Sequence, residues 1–216
     1  SLLITIGKSV AKYTKSKDDI MYYAQELKEN TYNLTRMNLV MRGIKPDNIF
    51  TRCGDTLEQD WPMYDDVTQE YNPLYLDAVV SNPPYSQRWD PKHKDTDPRY
   101  RYGIAPKGKA DYAFLLHDLY HLKPEGIMTI VLPHGVLFRG DALGGPDGQG
   151  EGEGKIRRNL IENNNIEAII GLPANIFFGH RYSPLSLWCC VRSEKNPMFC
   201  LLTLPRGLPR LVRPIS

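Results

Sequence analysis

Leu76-Asp77-Ala78-Val79-Val80-Ser81-Asn82-Pro83-Pro84-Tyr85 reads as a buried strand running straight into a stiff turn. A short apolar run bounded by turn residues suits a strand covered on both faces, as in a parallel sheet. The two prolines fix φ and carry no N–H, so the turn is rigid and its carbonyls stay out of any ladder. In an open α/β sheet the carboxyl end of a strand is where ligands bind. There the Asn82 side-chain oxygen and the Pro83 carbonyl are two acceptors able to hold the hydrogens of one exocyclic amine. The amine's lone pair then projects toward an electrophilic methyl, as an in-line transfer needs. Tyr85 offers a flat face on which a planar base can stack. The competing reading is an ordinary Asn-Pro turn, against which stand the buried strand before it and the aromatic after it.

Strand and helix patterns alternate on either side of this turn. Upstream, helices are expected over 1–13 and 30–41, the second stopped by Gly43, and strands over 19–26 and 48–53. Downstream, a charged Pro/Gly-rich loop spans 86–109, helices span 110–122 and 156–163, and strands span 127–132, 166–170 and 186–191. The alternation predicts an α/β sheet, mostly parallel. Seven of the fifteen residues from Gly140 to Gly154 are glycine, so that stretch is expected to be a mobile surface loop.

Two more strand ends carry acids. Glu26 closes the strand before the 30–41 helix, a place where a carboxylate binds ribose hydroxyls. Asp55 follows Gly54 after the next strand and can accept from an adenine amino group. Helix capping is an equally good reading of either acid alone, but Glu, Asp and Asn at three consecutive strand ends are harder to dismiss.

Composition removes several classes of function. The chain has 216 residues, a net charge of +2 and a mean hydropathy of −0.43, which excludes polybasic tails, acidic disordered chains and membrane spans. Neither a signal peptide nor a C-x-x-C pair is visible among Cys53, Cys189, Cys190 and Cys200, so a reduced, cytoplasmic protein is expected.

The sequence resembles the modification (methylase) subunit of type I restriction-modification systems, an adenine-N6 DNA methyltransferase family. The matching stretches are AQELKENTYNLTRMNL (24–39), GDTL (54–57), DAVVSNPPYS (77–86), KADYAFLLH (109–117), VLPHGVLFRG (131–140), KIRRNLIE (155–162) and GLPANIFFG (171–179). The resemblance implies a class I methyltransferase sheet, Rossmann-like, with helices on both faces. It implies a catalytic Asn82-Pro83-Pro84-Tyr85, cofactor contacts from Glu26 and Asp55, and Phe177 or Phe178 packing on a flipped adenine. It further implies S-adenosylmethionine as cofactor, double-stranded DNA as substrate, and specificity and restriction subunits as partners, with no membrane.

The family carries a D-P-x-x-G-S-G cofactor loop immediately before the S-L-L helix, and this chain begins at that Ser. Residues 1–192 are therefore expected to be a partial catalytic domain lacking the loop, the first strand and a helical N-terminal domain, and to bind S-adenosylmethionine weakly. Residues 193–216 read as an irregular tail unlike the family, as in a truncated or frame-slipped gene product. Two other readings stay open: the same chemistry on an RNA or protein amine, and a non-catalytic assembly module.

Other signals are set aside. His117 and His121 are four apart but lack the Glu of a zinc H-E-x-x-H motif, so a structural helix pair is expected. Gly150 to Lys155 fails the phosphate-loop template. Lys92, Lys94, Arg99, Arg101, Lys107 and Lys109, with Tyr100 and Tyr102 among them, are either a solvated face or a phosphate-contacting cover. His134, Arg139, Arg157 and Arg158 read as surface charge of undecided role.

Overall fold

Strands β1 (Tyr22–Glu26) and β2 (Ile49–Cys53) lie parallel, with Tyr22 opposite Ile49 and Glu26 opposite Cys53. Parallel neighbours need a crossover, here helix α2 (Glu29–Met41), which ends at Gly43 with φ 75° as the sequence predicts. Helix α1 (Leu2–Val10) presses Gly7 onto the buried Tyr22 ring, where a Cβ would collide. β1 begins at Tyr22 rather than Asp19 because Ser16 caps a 3-10 turn over Lys17–Asp19. The Ser16 N–H donates to Asp19 Oδ2 at 3.0 Å, which turns the chain first.

These elements form one of two units, Ser1–Leu74 and Tyr75–Ser216. The structure, a computed structural model, describes residues 2–14, 16–64, 70–140, 152–173, 185–191, 200–203 and 210–211.

The second unit holds a six-stranded sheet in the order β3-β4-β6-β5-β7-β8. Its strands are β3 (Leu76–Ser81), β4 (Leu122–Pro133), β5 (Ile166–Gly171), β6 (Leu185–Val191), β7 (Cys200–Thr203) and β8 (Arg210–Leu211). Helix α3 (Asp111–Tyr120) links β3 to β4, and α4 (Gly152–Glu162) lies between β4 and β5 in the chain. β3 and β4 are parallel, as are β5 and β7, but β6 runs antiparallel to both its neighbours and β8 antiparallel to β7. The sheet is thus mixed, not mostly parallel. The sequence contains the reason. Only thirteen residues, with Pro173, Gly179 and Pro184 among them, separate β5 from β6, and no helix pattern lies there to carry a parallel return. Two strands fall within the stretch read as an irregular tail.

The core of this unit packs α3 against β4 and β6. Tyr112 and Trp188, both fully buried, meet edge to face at 6.0 Å between ring centres. Each satisfies its polar tip: Tyr112 Oη donates to the Val136 carbonyl at 2.9 Å and Trp188 Nε1 donates to Ser186 Oγ at 3.0 Å.

One expected loop is corrected and another is more ordered than its composition suggests. Gly152 to Gly154, assigned to a mobile glycine-rich stretch, form the first turn of α4, with Glu153 and Gly154 buried. Arg139 ion-pairs with Glu153 at 2.7 Å. Gly140 (φ 74°) lies so close that a Cβ there would sit 2.8 Å from the Gly154 nitrogen. The 86–109 segment is a loop as expected, but it folds around buried side chains while Lys92, Arg101 and Lys107 stay exposed. Trp89 and Tyr100 are buried with ring centres 5.3 Å apart, and Trp89 Nε1 donates to the Pro106 carbonyl at 3.1 Å.

Candidate active site

Asn82-Pro83-Pro84-Tyr85 leaves the carboxyl end of β3, beside the parallel strand β4, with Ser81 opposite Ile130. Asn82 is exposed and Tyr85 half-buried. The Tyr85 hydroxyl donates to Asn82 Oδ1 at 2.6 Å, which fixes how the amide is turned. Burial raises the Tyr85 pKa, the Asn82 contact acting the other way, so the phenol stays protonated and donating at neutral pH. An amide oxygen has two lone pairs, so Asn82 keeps acceptor capacity for an incoming amine.

Helix α3 reaches the chain on both sides of this turn. Before it, the Ser81 hydroxyl donates to Asp118 Oδ2. After it, the Ser86 N–H donates to Asp111 Oδ1 at 2.7 Å and the Ser86 hydroxyl to Oδ2 at 3.5 Å. Asp111 is fully buried, and its charge is met by Arg139 Nη2 at 2.5 Å. Arg139 also grips Glu153 through Nε at 2.9 Å and Nη2 at 2.7 Å. Arg157 donates to the carbonyls of Val136 at 3.0 Å and Arg139 at 2.8 Å. Arg139 and Arg157, read as surface charge, are thus structural cations behind the turn. Asp111 and Asp118 were missed by the sequence reading. The signal was two acids on a helix, DYAFLLHDLY, that is otherwise largely apolar.

Burial pushes the Asp118 carboxyl up to about 6, with the Ser81 hydrogen bond and His121 acting against that rise. Arg99, taken for a surface cation, is buried. It pairs with Asp97 at 2.7 Å and stands 3.0 Å from His117 Nδ1. His117 and His121 are buried with ring centres 5.0 Å apart. Lys94 is also buried, so Lys92, Arg101 and Lys107 are the exposed cations of that group.

In the first unit, Glu26 and Asp55 share the carboxyl rim of β1–β2. Glu26 lies opposite Cys53, and the Gly54 N–H donates to the Glu26 carbonyl at 3.0 Å. Glu26 Oε1 accepts from the Thr35 hydroxyl at 3.2 Å. Asp55 Oδ1 accepts from the Leu57 N–H at 2.9 Å, so one of its oxygens caps the following turn. Phe177 and Phe178 lie outside the described residues. Cys53, Cys189 and Cys190 are free thiols, and no helix among the described residues is long and apolar enough to cross a membrane.

Wound α/β units with acids and an Asn-Pro-Pro-Tyr turn at strand carboxyl ends define the class I methyltransferase fold. The fold is shared with a class I S-adenosylmethionine-dependent methyltransferase from Listeria monocytogenes, which superimposes with a TM-score of 0.62 at 17% identity, over 93% of this chain and 54% of that one. The profile of the N-6 DNA methylase family matches residues 1–198, and the chain belongs to that family. It is 37% identical over 214 residues to the type I restriction enzyme MpnII methylase subunit of Mycoplasma pneumoniae, covering 92% of this chain and 35% of that protein. It is 33% identical over 185 residues to the MjaIX methylase subunit of Methanocaldococcus jannaschii, covering 82% of this chain and 29% of that protein. The type I restriction-modification methyltransferase subunit of Streptococcus thermophilus superimposes with a TM-score of 0.77 at 40% identity, over 90% of this chain and 39% of that one. The chain therefore spans about a third of the length of the curated relatives it matches.

Proposed function

We propose that these residues carry the methyl-transfer centre of an adenine-N6 DNA methyltransferase of the type I restriction-modification kind. The reading rests on Asn82-Pro83-Pro84-Tyr85 at the end of β3, with the Asn82 amide turned by Tyr85. Target adenine leaves the duplex to reach the turn. Asn82 Oδ1 and the Pro83 carbonyl accept its amine hydrogens, and Tyr85 stacks on the ring. Positive charge develops on N6 during attack, and the two oxygens stabilise it. Two carboxylates on one strand rim suit the donors of a nucleoside, so Glu26 takes ribose hydroxyls and Asp55 an adenine amine. S-adenosylmethionine, when bound, supplies an electrophilic methyl. Phe177 or Phe178 packs on the flipped base. The partners are double-stranded DNA and separate specificity and restriction subunits, and the setting is the cytoplasm.

The test is transfer of labelled methyl from S-adenosylmethionine to duplex DNA by a full-length methylase subunit containing these residues, co-expressed with its specificity subunit, with the product nucleoside identified by mass. N6-methyladenine is expected. Asn82→Ala should lower transfer by about 100-fold or more, the scale of losing one preorganised polar group, while sparing cofactor binding. Labelling of RNA or protein instead, or full activity in Asn82→Ala, overturns the reading.

A further inference from the structure

We infer that Asp118 and Asp111 are positioning residues that bracket the Asn-Pro-Pro-Tyr turn from one helix and thereby set the attack geometry at Asn82. The inference rests on the proposed methyl-transfer reading of that turn.

The two acids are seven residues apart on α3. At 100° per residue they fall within about 20° of the same face, two turns and about 10 Å apart along the axis. Asp118 holds Ser81, the last residue of β3, and Asp111 holds Ser86, the first residue after Tyr85. Between the two anchors lie only Asn82, Pro83, Pro84 and Tyr85. Both prolines have fixed φ, so the turn behaves as a stiff piece whose orientation follows its two ends. Ser86 sits at φ 51°, a left-handed conformation that a serine does not adopt without help. The Asp111 carboxylate on its N–H supplies that help. The Ala110 N–H, donating to the Gln87 carbonyl at 2.9 Å, ties the same end of α3 to the same strand exit.

The choice of residues points the same way. A helix face buried against a sheet is cheapest when apolar, and buried acids are poor sources of stability. Here one acid is fully buried and needs Arg139, itself shared with Glu153, to balance it. Such groups hold a direction that apolar packing does not hold. A displacement of about 1 Å at a reacting group costs about 100-fold in rate, so what the bracket controls is turnover rather than cofactor affinity.

Two readouts test this on the protein with its specificity subunit. Ser81→Ala removes one hydroxyl and leaves the strand backbone intact. It should lower kcat for DNA methylation by about 10- to 100-fold, with S-adenosylmethionine Kd unchanged within twofold. Asp118→Ala should match it, and Ser81→Ala/Asp118→Ala together should be no worse than either alone. Asp118→Asn keeps an acceptor for Ser81 and should recover kcat to within a few-fold. The second readout needs no activity: with 3-fluorotyrosine incorporated, the Tyr85 resonance, assigned by its loss in Tyr85→Phe, should shift or broaden in Ser81→Ala and Asp118→Ala and return in Asp118→Asn. Wild-type kcat in Ser81→Ala overturns the bracket. A wild-type protein that methylates no DNA overturns the functional reading instead, and the bracket then falls only if the Tyr85 resonance is unmoved.

Discussion

The rims of the two units hold their polar residues by different means. At the end of β1 and β2, Glu26 and Asp55 are each steadied by one ordinary donor: the Thr35 hydroxyl at 3.2 Å and the Leu57 N–H at 2.9 Å. At the end of β3 the turn is flanked by acids on a buried helix, one of them locked to Arg139 and through it to Glu153. The first arrangement tolerates small movements, which suits binding a ligand through many contacts. The second permits few, which suits aiming one lone pair. Substitutions in the first unit should therefore act on affinity, and those in the second on rate and stability.

The largest expected effect lies in the ionic network. Asp111→Ala leaves Arg139 with one partner fewer and the Ser86 N–H without its acceptor. A broken buried pair of this kind costs about 3–5 kcal/mol, to be read from urea denaturation of the protein. A loss under about 1 kcal/mol would mean that water reaches the network and that the contrast between the rims is false.

Next is the pH response of Asp118, whose folded pKa of about 6 exceeds the ordinary 3.8. Between those values the native state holds a proton that the unfolded chain has released. Its contribution is thus greatest below pH 4 and declines until the pH passes about 6. The decline is at most about 3 kcal/mol, at about 1.4 kcal/mol per pKa unit. Asp118→Asn should flatten this part of the stability profile and melt higher than the wild type at pH 7. An unchanged slope between pH 4 and 6 would show that the carboxyl is solvated.

A third substitution sharpens the comparison from the other side. Thr35→Val removes the donor to Glu26 without changing shape much. A hydrogen bond to a carboxylate is worth about 1.5 kcal/mol, so S-adenosylmethionine Kd should rise about tenfold with kcat unchanged. A fall in kcat at constant Kd would make the first rim an aiming device as well.

Much of this was readable from residue order, and the failures have physical causes. The apolar run placed β3 to the residue, but its side chains are half-buried or exposed rather than buried on both faces, and the prolines announce the stiff turn. The direction of β6 was misread because apolar strands look alike whichever way they run. The clue is the sequence between Gly171 and Leu185, too short and too rich in proline and glycine to show a helix pattern. In the sequence Arg99 reads as one of a run of loop cations, solvated or phosphate-contacting, because its partners Asp97 and His117 come together only through the folded loop. The bracket was hidden for the same reason. Ser86 and Asp111 are 25 residues apart, and Ser81 and Asp118 are 37 apart. Only the acid pair within an apolar helix marked it.

The smallest expected effect concerns Ser86 itself. Its φ of 51° costs a non-glycine residue about 1 kcal/mol, and its hydroxyl stands 3.5 Å from Asp111, at the far limit of a hydrogen bond. Ser86→Gly keeps the backbone N–H that Asp111 holds and removes the steric penalty. Against this, glycine loses more backbone freedom on folding. The balance should be a gain of about 0.5 kcal/mol in stability, visible as a slightly higher urea midpoint, with the Tyr85 fluorine resonance in place. A clear loss would show that the hydroxyl, not the N–H, anchors this end of the turn, and the bracket would then rest on two serine side chains rather than one.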